Sequence, residues 1–137
     1  MIIKCLKITR EDGIIIPWNG KETVGKYYQV IEIDMSKDDL RFRILPDDGG
    51  HPILAHAKNY KVITYILPKN WILWQYSEYS FCFGPERWVN CNLWDLSFWS
   101  SWDDSEPEAL KVYEEEMKII LETDNLNDYQ DPQFINR

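Results

Sequence analysis

A chain of 137 residues, 45% of them apolar, is long enough to bury one core and too short for two independent ones. Its formal charge of −8 comes without clustered Lys and Arg, which excludes the usual basis of phosphate binding, so nucleic acid is not an expected partner. No run of about 18 apolar residues occurs, which excludes an ordinary membrane-spanning helix.

Met1 to Ile8 alternates apolar and charged residues, predicting a strand over Ile2 to Thr9 in place of the continuous apolar stretch of an export signal. A cytoplasmic protein is therefore expected. Glu11-Asp12-Gly13 turns the chain into Ile14 to Pro17, a hairpin pattern, and Asn19-Gly20 marks a second turn. In Tyr27 to Asp34, Tyr28 and Val30 face one way and Gln29, Ile31 and Ile33 the other, with apolar residues on both sides, so both faces are expected to be covered. Leu40-Arg41-Phe42-Arg43-Ile44 reads as a half-exposed strand with Leu40, Phe42 and Ile44 inward and both arginines in solvent. After the Pro46-Asp47-Asp48-Gly49-Gly50 turn, His51 to Ala57 and Tyr60 to Leu67 read as extended.

Trp71 to Tyr76 and Tyr79 to Phe83 are expected to pair across a turn at Ser77-Glu78. Pro85 is placed to open one helical turn carrying Trp88. Residues 89–102 have no clean period. Ser105-Glu106-Pro107-Glu108 matches a capping box, and Leu110, Tyr113, Met117, Ile120 and Leu121 then recur at helical spacing, leaving Lys111, Glu114, Glu115, Lys118 and Glu122 outside with a favourable Glu114–Lys118 pair. The fold class expected is α+β, mostly antiparallel sheet with one amphipathic C-terminal helix, as a single domain over residues 1–122. Residues 123–137 read as a polar, flexible tail in which Leu126, Tyr129, Phe134 and Ile135 are the candidates for docking.

Few residues are arranged for chemistry. Cys5, Cys82 and Cys91 are an odd, widely spaced set that reads as reduced thiols. His51 and His56 lie five apart on an extended segment, which points them to opposite faces and reads as two surface side chains with no shared metal. The pairs Asp38-Asp39, Asp47-Asp48 and Asp103-Asp104 are explained by turns and caps. Phosphate-loop, nucleophile-elbow and calcium-loop patterns are all missing, so neither an enzyme nor a cofactor is expected.

Six of the seven Trp fall between Trp71 and Trp102. Residues 1–100 hold twelve acidic side chains against twelve basic ones, whereas residues 101–137 hold eleven against three. A partly exposed Trp beside carboxylates is a protein-binding anchor, because Trp and Tyr contribute disproportionately at interface centres. Trp99, Trp102, Asp103 and Asp104 are the candidate docking residues for a protein partner of basic character, with Glu114, Glu115 and Glu116 extending the surface. Two alternatives stay open: a small-molecule module with a cleft lined by Tyr79, Phe81 and Trp88, and a phage or host structural subunit. Composition does not set the oligomeric state.

Pro68-Lys69-Asn70-Trp71, Gly84-Pro85-Glu86-Arg87-Trp88, Phe98-Trp99 with Trp102-Asp103-Asp104, and Ala109, Tyr113, Glu116 and Ile120 together make the C-terminal half resemble a group of small bacterial proteins of poorly known function, some of them similar to toxin-neutralising immunity proteins. That resemblance implies a non-catalytic protein that masks a toxin or effector. Val24-Gly25-Lys26-Tyr27-Tyr28 and Asp47-Asp48-Gly49 look like parts of an SH3-like partial barrel.

Overall fold

A computed structural model describes residues 1–129 of the chain. The described residues form an α+β fold built on strands β1 (Ile2–Cys5), β2 (Ile8–Thr9), β3 (Ile15–Ile16), β4 (Tyr27–Ser36), β5 (Asp39–Ile44), β6 (Ile53–His56), β7 (Tyr60–Thr64), β8 (Trp71–Ser77) and β9 (Ser80–Pro85), followed by helices α1 (Glu86–Val89), α2 (Phe98–Asp103) and α3 (Pro107–Thr123). Every pairing between these strands is antiparallel. The large sheet runs β6-β5-β4-β1-β7 and branches at β4, which also pairs β9, and β9 pairs β8; β2 and β3 form a separate ribbon. The single strand expected over Ile2 to Thr9 is thus split, because the N–H groups of Leu6 and Lys7 bond the Asn59 carbonyl and leave the β1 ladder.

β4 is the spine. At ten residues it is the longest strand, and it pairs β1 through Tyr27 to Gln29, β5 through Val30 to Ser36 and β9 through Ile33 to Met35. Directly paired residues share a face. One face therefore carries Ile3 with Tyr28, Val30 with Ile44, and Ile33 with Phe42, which is paired in turn to Ala55. All of these are buried except the half-buried Ile33. The opposite face carries Ile2 with Gln29, Glu32 with Arg43, and Asp34 with Arg41. The covering of both β4 faces expected from its composition is present from Tyr28 to Glu32.

Several expectations need correction. Leu40 is 42% exposed, whereas the Arg43 side chain is only 16% exposed and is drawn under the helical layer by Glu32. The capping box does not form: Glu106 occupies the N-cap of α3 without a side-chain bond, and Ser105 sits at φ 57 to make the tight turn out of α2. That turn is closed by N–H bonds from Ser105 to Trp102 and from Glu106 to Ser101. The buried stripe of α3 is Ala109, Val112, Glu116, Met117 and Ile120, with Tyr113 half-buried, while Leu110 and Leu121 face outward. The stripe is turned because Glu116 is pulled inside by Arg87 and Asn70. Lys118 lies 4.0 Å from Glu122, in place of the anticipated Glu114 partner.

Packing does not stop at residue 122. Asp124 is buried, and Leu126–Asp128 form a turn of 3-10 helix tied to β4. Phe134 and Ile135 lie outside the described residues. Both histidines are exposed, His51 with its Nδ1 2.9 Å from Asp103 Oδ1 and His56 hydrogen-bonded to Asp39. The residues that carry the barrel likeness meet at Asp47, whose carboxylate accepts bonds from Thr23, Lys26 and Tyr28 at 2.7 to 2.9 Å.

Candidate functional site

Glu32 and Asp34 project from the same face of β4, and Arg43 and Arg41 stand opposite them on β5, making a two-rung ladder of opposite charge. Arg43 Nε lies 3.4 Å from Glu32 Oε1, and Arg41 Nη2 donates to Asp34 Oδ2 at 2.9 Å. The remaining carboxylate oxygens are also engaged: Trp99 Nε1 donates to Glu32 Oε2 at 3.0 Å, and the Tyr76 hydroxyl donates to Asp34 Oδ1 at 2.9 Å. The Arg43 guanidinium also lies 4.3 Å from the centre of the Trp99 ring, a cation–π contact. Burial raises the pKa of Glu32, while Arg43 and the Trp99 N–H pull it back down.

An aromatic cap covers this ladder. Pro85 starts α1 and delivers Trp88, which stacks on Phe98 at 5.2 Å and on Tyr113 at 5.6 Å and meets Trp99 edge-on at 5.1 Å. Trp94 adds an edge contact to Phe98, and Trp102 packs between Trp99 and Tyr113. Each such pair contributes roughly 0.5–1.5 kcal/mol beyond area burial, which lets the six-residue α2 hold its place although it is too short to be stable alone. The Ser97 hydroxyl caps α2 by accepting the Ser100 N–H.

Between ladder and cap lies a cleft of about 380 Å³, floored by Glu32, Asp34, Arg43 and Cys82 and walled by Trp99 and Leu96. Burial, and then the nearby Glu32 and Asp34, push the Cys82 thiol up to about 12, so it stays protonated and is a poor nucleophile at neutral pH. Trp88 also lines the cleft, but Phe81 is paired with Met35 and Gln75 on the other face of the sheet, and Tyr79 is exposed beneath Lys37. The small-molecule pocket anticipated from Tyr79, Phe81 and Trp88 is therefore replaced by one on Cys82's side of β9.

Of the candidate docking residues, α2 brings Trp99, Trp102 and Asp103 together, with Asp104 at its C-cap. Both indoles are half-buried, and both aspartates are exposed. Glu114 and Glu115 stand on the exposed side of α3, joined to α2 through the Trp102–Tyr113 contact at 5.0 Å. Arg87 holds Glu115 at 2.7 Å and keeps its carboxyl below the ordinary range. Glu116 is buried under the same arginine and offers nothing to a partner.

Sequence reasoning passed over Leu93 and Leu96, which are 55% and 79% exposed on the connection between α1 and α2. It also passed over the charge ladder, whose signal was present as acid-x-acid in one strand against Arg-x-Arg in the next. Among the described residues no helix is long and apolar enough to cross a membrane. No family model, curated protein or solved structure matches the chain.

Proposed function

We propose that this chain is a non-catalytic, cytoplasmic binding protein of the immunity type, which masks a basic toxin or effector with the aromatic cap and its acidic border. The observation that carries the reading is the surface formed by residues 91–116. It presents Leu93 and Leu96 to solvent, Leu96 beside the half-buried Trp99, within a stretch holding one lysine and, besides the buried Glu116, seven acidic residues. Apolar side chains supply short-range affinity once water is excluded, and the surrounding carboxylates accelerate encounter with a cationic surface and reject acidic competitors. The resemblance of the C-terminal half to small bacterial proteins of poorly known function, some of them similar to immunity proteins, supports the same reading.

The test is co-expression with the products of the neighbouring genes, followed by capture at low salt. A basic partner is expected with the natural sequence and lost with Leu96→Asp or with Asp103→Lys and Asp104→Lys together, all surface changes that leave the fold intact. A partner retained equally by these variants, or none at all, defeats the proposal.

The cleft favours a second reading, since its volume lies within the range of about 300–1,000 Å³ usual for small-molecule sites. Thermal-shift screening of small ligands, with Cys82→Phe to fill the cleft, separates the two: only a small-molecule site loses its response while partner capture persists.

A further inference from the structure

The longest edge strand of the large sheet, among the described residues, is β8. Three strands end the branched sheet, each paired on one side only among the described residues: β6, β7 and β8. β6 has four residues and carries His56, and β7 has five and carries Lys61. β8 has seven, Trp71-Ile72-Leu73-Trp74-Gln75-Tyr76-Ser77, with no charge, Pro or Gly. Folded proteins usually guard an edge with such residues or with a bulge, because every second residue turns an unpaired N–H and C=O outward. The one bulge here lies between Gln75 and Ser77, at the far end.

The apolar face reaches this edge unfinished. A cross-strand row runs Ala55, Phe42, Ile33, Phe83, Leu73 over five strands. Ala55 and Phe42 are each 4% exposed, Ile33 and Phe83 are half-buried, and Leu73 is 57% exposed. Burial is lost at the β8 end of the row, whereas Ala55 at the β6 end stays covered.

We infer that β8 pairs antiparallel with β8 of a second copy of this chain, about a two-fold axis at Leu73. Leu73 is the centre of the unbulged segment Trp71 to Gln75, and the axis sets Leu73 against Leu73 of the partner copy. It also sets Ile72 against Trp74 and Trp71 against Gln75, all neutral. Self-pairing of β7 in this way brings Lys61 toward its own copy, whereas β8 opposes no like charges. The ends favour the same occupant: exposed Lys69 sits in the turn before β8 and exposed Glu78 in the turn after it, so an antiparallel pair brings the Lys69 end of each copy to the Glu78 end of the other, twice. The two apolar rows then join into one. The paired segment Trp71 to Gln75 stops short of Tyr76, which lines the cleft beside Leu96, and the two proposals are probed at different residues, so they can fail independently.

Sedimentation equilibrium of the full chain at about 10–500 μM tests it, since a weak homodimer shows as a concentration-dependent mass. A dimer is expected, and Leu73→Lys, at a solvent-exposed position, weakens it by at least about tenfold. Glu78→Lys weakens it less, and adding Lys69→Glu to that variant restores it. Amide exchange of the natural chain supplies a readout that no variant's folding affects, with residues 71–75 becoming more protected as concentration rises. A monomer throughout the range, or a dimer indifferent to Leu73→Lys and to the charge exchange, overturns the inference.

Discussion

At Gln29 and at Glu32, three residues apart on β4, the protein buries polar side chains and closes them by different means. Gln29 donates to the Asp124 carbonyl at 2.9 Å and accepts the Leu126 N–H at 3.0 Å, so backbone seals it. Asp124 in turn lies 3.6 Å from the Met1 ammonium and bonds the Thr64 hydroxyl, tying the chain's start to the end of α3. Glu32 is closed entirely by side chains, Arg43 and Trp99, with a cleft beside it. Backbone partners move only when the fold moves, whereas side chains on a short helix can exchange partners with an incoming molecule. The first region is a clasp. The second is buried charge held by side chains alone, with a cleft beside it.

The largest effect expected on this contrast comes from Phe98→Ala. Phe98 is fully buried among Trp88, Trp94 and Trp99, so the loss is about 3–5 kcal/mol, measurable by urea unfolding. If cap and clasp differ as argued, amide exchange in the variant rises first over 86–103 and leaves β1 and the end of α3 protected. A uniform rise across the chain means that the cap is part of one indivisible core.

Gln29→Ala is expected to cost less, about 1–3 kcal/mol, because the Leu126 N–H and the Asp124 carbonyl lose their partners inside the protein. Its exchange pattern should be the converse, loosening residues 124–128 and β1 while the cap stays protected. A loss below about 0.5 kcal/mol, the range of an ordinary surface change, shows that the clasp does not hold the C-terminal turn in place.

The strands were more legible in the sequence than either the clasp or the cap, since residues 123–137 read as a flexible tail whereas Asp124 and Leu126 close Gln29. The positions of β4 and β5, the turn between β8 and β9 and the Pro85 start of α1 follow from local rules, because period and turn chemistry act over a few residues, but the bulge after Val30 turns Ile33 to the Val30 face and Leu40 lies outward, against the expected alternation. α2 escaped because a single turn and a half, touched by rings on several sides, has no period to display: Phe98 and Ser101 are buried, Trp99 and Trp102 half-buried. The α3 stripe was misplaced because Glu116 counted as polar and therefore outward, although an arginine on α1 makes its burial tolerable. The acidic Trp-bearing region was recognisable by composition, but exposed Leu93 and Leu96 needed coordinates. In sequence a leucine beside Trp94 reads as core.

The subtlest test concerns the pH dependence of Glu32. Its carboxyl is raised above an ordinary value of 4.5, mainly by burial, so the folded state holds the proton more tightly than the unfolded chain does. The stabilisation linked to that proton is fully present below the unfolded value and is lost as pH rises through the folded one. Glu32→Gln cannot titrate. The stability of the natural protein relative to this variant should therefore be greatest at the acid end, fall as pH climbs past about 4.5 and level off once Glu32 is ionised in both states. The effect is the smallest of the three because Arg43 and the Trp99 N–H both oppose the shift. Urea midpoints for the two proteins across that range give the sign directly. A relative stability that rises with pH instead means that the Arg43 pair outweighs desolvation, in which case the ladder is as closed as the Gln29 clasp and the cleft beside it offers a visitor no loosely held charge.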